Sequence, residues 1–115
     1  MAFTDQQIKE IEQAAAKFMY YKRPPVEIRP KLDLEYRIEG QSVCLYEITP
    51  RWNNPNEKNE MPSAKATYVK SNNNWKVFWM RGNLKWFIYE PVSVVDNISD
   101  FFDVVAADKH NCFFG

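Results

Sequence analysis

The chain carries one histidine, His110, so any Ser-His-Asp or Cys-His arrangement must use it. Cys112 stands two residues further on, and in an extended tail the two side chains would share a side. No third group is placed to orient the imidazole, so no catalytic residue is assigned. Asp108, His110 and Cys112 also alternate as ligands do on an extended strand, and zinc accepts all three types. A closed structural site needs a fourth ligand, and neither a second histidine nor paired cysteines supplies one. The tail is therefore read as packed and metal-free. The three glycines are isolated, so there is no phosphate-binding loop. The carboxylates before Met61 are scattered and single out no acid–base pair. No cofactor is implied.

Recognition chemistry is better represented. Residues 74–89 hold three of the four tryptophans and two of the eight phenylalanines. They read as two aromatic-rich strands joined by Gly82-Asn83, with Gly82 supplying the positive φ of a two-residue turn. Trp79 then faces Trp86, Phe78 faces Phe87 and Val77 faces Ile88. On that register Trp75, Val77, Trp79, Trp86, Ile88, Tyr68 and Ala66 form the core side. The reverse side carries Lys65, Thr67, Lys76, Phe78, Met80, Lys85, Phe87 and Tyr89. Rings interleaved with lysines on an open sheet are what single-stranded nucleic-acid platforms use. The alternative is that protein covers them: the loop of residues 50–62, the tail or a second subunit. Zero net charge favours the protein reading. The expectation is a non-enzymatic binding module engaging a protein partner or its own copy, ahead of single-stranded nucleic acid. Its face would comprise Lys65, Lys76, Phe78, Arg81, Lys85, Phe87 and Tyr89. The rival is an enzyme or small-ligand pocket at the sheet edge, built from Glu47, Arg51, Trp52 and Asn83 with Arg81 beside them.

These side chains need elements to hold them. Thr4 is a good N-cap with Gln7 at the capping-box position, and Ile8, Ile11, Ala15, Phe18 and Met19 recur at helical spacing. Pro24-Pro25 ends this helix. Residues 31–39 alternate, with Leu32, Leu34, Tyr36 and Ile38 on one side, which predicts a half-buried strand. Gly40-Gln41 turns the chain, and residues 42–49 return with Ile38 against Val43 and Tyr36 against Leu45. Glu47 then shares the inner face with Leu34, either as a tuned carboxylate or, as favoured, bonded to loop backbone or Arg51. Residues 50–62 read as a polar, proline-bounded loop that Trp52 pins to the core. Residues 64–70 form a third strand and 71–74 a turn, placing Ala66 against Trp79 and Tyr68 against Val77. Asn97 or Ser99 caps a second helix running to about Asp108, its apolar side made by Ile98, Phe101, Phe102, Val105 and Ala106. Phe113 and Phe114 are expected to pack. The sum is an α+β domain: a five-stranded antiparallel β-meander with an N-terminal and a C-terminal helix on one face.

Length fits a single domain over residues 1–115, and 45% hydrophobic with 16% aromatic residues is enough for one core. Residues 61–89 contain five basic side chains and no acidic ones, while residues 90–108 contain five acidic and no basic ones. Cys44 and Cys112, outside any Cys-x-x-Cys, read as reduced thiols. No apolar run approaches a membrane span, and the N-terminus lacks the pattern of a signal peptide, so a cytoplasmic address follows.

Four stretches together resemble a known family. They are Arg81-x-Asn83-Leu84-x-Trp86-x-x-Tyr89, Tyr36-Arg37-Ile38-x-Gly40, Glu47-x-x-Pro50-x-Trp52 and the ending Asp108…Phe113-Phe114-Gly115. The combination is similar to the bacterial domain-of-unknown-function family 3024 across nearly the whole chain. The resemblance implies a small bacterial protein, a single complete domain ending at its natural terminus, and no assigned activity, substrate or cofactor.

Overall fold

Capping chemistry starts both helices. The computed structural model describes residues 3–109 together with Cys112 and Phe113. Helix α1 spans Asp5–Lys22. The Thr4 hydroxyl accepts from the Gln7 amide (3.1 Å), and the Gln7 side chain accepts from the Thr4 amide (2.9 Å). Two orphan N–H groups are thereby satisfied at once. Arg23 leaves the helix before Pro24 and donates two 2.8 Å bonds to Asp33, fastening the helix end to the first strand. Helix α2 spans Ile98–Ala107, with the Asn97 side chain accepting from the Asp100 amide (3.0 Å).

Between the helices run β1 (Asp33–Glu39), β2 (Ser42–Arg51), β3 (Asn54–Val69), β4 (Asn74–Met80) and β5 (Trp86–Ile88). They form the antiparallel meander β1-β2-β3-β4-β5. A 3-10 turn (Glu90–Val92) leads to β6 (Val94–Val95), a two-residue strand that pairs with β4. The β1–β2 hairpin has the expected register, Ile38 facing Val43 and Tyr36 facing Leu45, with Gly40 at φ +61°. Both helices pack on one side of the sheet. Ile11, Ala15 and Phe18 of α1 and Phe101, Phe102 and Val105 of α2 cluster with Val43, Leu45, Ala64, Ala66, Trp75 and Val77. Each large side chain buried there contributes about 1.5–3 kcal/mol of transfer free energy.

Residues 50–62 are strand, not loop. β2 continues to Arg51, the chain turns at Trp52-Asn53, and β3 returns from Asn54. Prolines are admitted because the ladder is already broken or faces water there. Pro50 and Pro62 adjoin the two register shifts in this pair, and Pro55 is exposed. β1 flanks β2 only as far as Ile48, and β4 flanks β3 only from Ala64 onward. The remainder projects as a two-stranded arm from a molecule measuring 46 × 30 × 26 Å. Trp52, expected to pin a loop to the core, sits at the arm's tip and is 94% exposed.

Two further registers differ from expectation. β3 and β4 are joined by residues 70–73, so Ala66 faces Val77 and Tyr68 faces Trp75, which preserves the sides. In the β4–β5 hairpin the sides do not survive. Its loop is residues 81–85, closed by Leu84 N–H to Arg81 C=O (2.9 Å) and Arg81 N–H to Lys85 C=O (3.1 Å). Leu84, at φ +62°, takes the left-handed conformation expected of Gly82. Trp79 therefore faces Phe87, and Met80 faces Trp86. A one-residue slip turns β5 over.

Candidate functional site

With β5 turned over, the side away from the helices presents Trp86 and Ile88 in place of Phe87 and Tyr89. One row crosses it: Arg37, Cys44, Lys65, Phe78 and Ile88, each directly opposite the next. The Lys65 ammonium lies 4.9 Å from the Phe78 ring centre and 4.8 Å from that of Trp86. Arg37 covers the Tyr46 ring at 4.3 Å while donating to Glu35 (2.9 Å) and to Glu60. The Tyr46 hydroxyl donates to Glu39 (2.8 Å). Hydrogen bonds from Cys44 and Tyr46 hold the Glu39 carboxyl below its ordinary value. Burial, reinforced by Glu39, pushes the Cys44 thiol and the Tyr46 phenol each up to about 12. Both stay protonated at neutral pH, so this face offers rings and hydrogen bonds rather than an activated nucleophile. A hollow of about 370 Å³ opens between Glu39, Tyr46, Lys65 and Trp86.

The other members of the expected face divide. Lys76 remains on the open side and is exposed; Lys85 lies in the exposed β4–β5 loop. Phe87 and Arg81 belong to the helix side, where the Arg81 guanidinium lies 4.7 Å from the Phe87 ring centre and 5.6 Å from that of Trp79. Tyr89 is a core residue, 2% exposed, with its ring 4.7 Å from that of Phe113 and its N–H donating to Val77 C=O (2.9 Å). Burial raises its phenol above the ordinary value. The sequence reading missed Tyr46 and Cys44, although their alternation with Leu45 marks the outer side of β2. It also missed Trp86, whose side depends on the length of a turn.

The residues of the rival pocket are not brought together. Glu47 does face Leu34, but it accepts from the buried Ser63 hydroxyl (3.0 Å), not from Arg51 or loop backbone. β3 stands between its strand and β4, which keeps it about 10 Å or more from Arg81. Arg51 pairs with Glu57 across the arm (2.9 Å). Asn54, beside Trp52, precedes by ten residues the Ala64 that faces Trp79, about 30 Å of extended strand. Asn83, in the β4–β5 loop, accepts from the Lys85 amide (3.2 Å).

His110, Asn111, Phe114 and Gly115 lie outside the described residues, and with them the Cys-His pair and the Asp108-His110-Cys112 alternation. Among the described residues no group of three His, Cys, Asp or Glu side chains could hold a metal ion. Neither Cys44 nor Cys112 is in a disulfide. No helix among the described residues is long and apolar enough to cross a membrane. Neither the curated proteins nor the solved structures provide a match to this chain. Residues 3–115 match the family model for the domain of unknown function DUF3024, and the chain belongs to that family.

Proposed function

We propose that the protein is a non-enzymatic interaction module whose open sheet face holds another protein surface, in the first instance a second copy of this chain. One observation carries the reading: the row Arg37–Cys44–Lys65–Phe78–Ile88, with Tyr46 and Trp86 beside it, lies on the side of the sheet opposite both helices. Aromatic residues and arginine are the types enriched in interface cores. Arg37, Lys65 and Lys76 stand among Glu35, Glu39 and Glu60, so two copies related by a twofold axis can set unlike charges against each other. The same mixture argues against single-stranded nucleic acid, since Arg37 already serves two carboxylates and phosphates require available cations. The enzyme reading loses support because its polar groups are dispersed. Two cysteines outside any disulfide suit a reducing compartment and support a cytoplasmic address.

Sedimentation velocity over a wide concentration range tests the reading. A reversible dimer is expected, and Trp86→Ala or Lys65→Glu shifts it to monomer while the far-ultraviolet spectrum is retained. A chain that stays monomeric at every concentration overturns self-association. Steeply salt-dependent uptake of a labelled oligothymidine, lost in Phe78→Ala, would replace protein with nucleic acid as the partner.

A further inference from the structure

Four of the five arginines direct their guanidinium at an oxygen of their own chain. Arg23 donates to Asp33, Arg29 to the Pro24 carbonyl, Arg37 to Glu35 and Glu60, and Arg51 to Glu57. Arg81 is the exception. Among the described residues its guanidinium meets rings alone, Phe87 at 4.7 Å and Trp79 at 5.6 Å. Stacking on two rings restricts the plane of the fork and leaves its N–H edges available. That is the arrangement that takes a carboxylate through two parallel charge-assisted bonds. A cavity of about 550 Å³ opens beside it, walled by Trp79, Phe87, Ile88 and Pro91, with Tyr89, Glu90 and Cys112 also in its lining. This volume falls within the range of small-molecule sites, and its lining combines apolar walls with a fixed polar group, as such sites do.

We propose that this cavity binds a small monoanionic carboxylate with a flat apolar body. Arg81 holds the carboxylate, and the body lies against Trp79, Phe87 and Pro91. Glu90, which also lines the cavity, selects for the single charge, because a phosphate dianion would meet a like charge with only one guanidinium to offset it. The site is on the helix side of the sheet, at its β5 edge. It shares only Ile88 with the open-face row, so either can exist without the other.

Phenylacetate titrated into isotope-labelled full-length protein at neutral pH is the test, followed through backbone amide shifts. Saturable shifts are expected at Trp79, Phe87, Ile88 and Glu90. Affinity should fall about tenfold or more in Arg81→Gln, by less in Arg81→Lys, which keeps the charge but not the fork, and rise severalfold in Glu90→Gln. Phenylacetamide and phenethylamine should bind at least about tenfold more weakly than phenylacetate. The two analogues decide the matter in the unmodified protein, whatever the fate of the variants. Equal binding of the amide, preference for the amine, undiminished binding in a folded Arg81→Gln, or no saturable shift at these residues overturns the proposal.

Discussion

Along β3 one side chain turns under the helices and the next turns away. Ala64 and Ala66 lose all contact with water, while Lys65 between them reaches over Phe78 and Trp86. In β2 the same alternation sends Val43 and Leu45 inward and Cys44 outward. Aromatic rings occur on both sides, so they do not mark the core. Small residues at the centre of the sheet do, because they make room for the rings of Phe18, Phe101 and Phe102. On the open side, long side chains lie along the sheet and cover one another. Cys44 is only 5% exposed there, although both helices pack on the other side.

Breaking the covered side should cost most. Phe101→Ala is expected to remove about 3–5 kcal/mol of stability, read from urea midpoints. Phe78→Ala on the open side should remove about 1 kcal/mol, its contact with Lys65 included. Equal losses at the two positions would erase the distinction between the sides. Ala66→Leu forces bulk between sheet and helices and should cost about 1–3 kcal/mol in the same measurement, and a neutral result would deny that small residues set the helix approach.

The smallest effect belongs to neither side but to the clasp between α1 and β1. The hydrogen bond from Arg23 holds the Asp33 carboxyl below its ordinary value. The unfolded chain then binds the proton first, so the clasp stabilises at neutral pH and is lost as pH falls through and below about 4. Arg23 is 41% and Asp33 22% exposed, so solvent limits the loss to under about 1 kcal/mol. Unfolding midpoints of Asp33→Asn should show a correspondingly flatter acid limb, and an unchanged limb would remove the clasp from the account.

Several parts of this architecture were legible in the residues. The capping box at Thr4, the Asn97 cap and the β1–β2 register all follow from signals within a few residues of one another. The arm was hidden because polarity and proline argue for loop where a strand is flanked on both sides. β2 and β3 beyond the body are edges, and there both are admitted. The candidate site was half legible: Lys65, Lys76 and Phe78 stand on the open side as read, while Phe87 and Tyr89 changed sides with the β5 register.

What the residues alone determined are the elements whose cause is local: two capped helices, the alternating strands, and the hairpin closed at Gly40. Tertiary structure decided which way β5 faces. Trp79 can meet Trp86 or Phe87 with nearly equal merit, so the aromatic pattern does not choose between registers. The choice falls to Tyr89, which is buried against Phe113 twenty-four residues later only when the loop is residues 81–85. A contact so distant in sequence leaves no trace in local spacing, yet it determines which rings the open face presents.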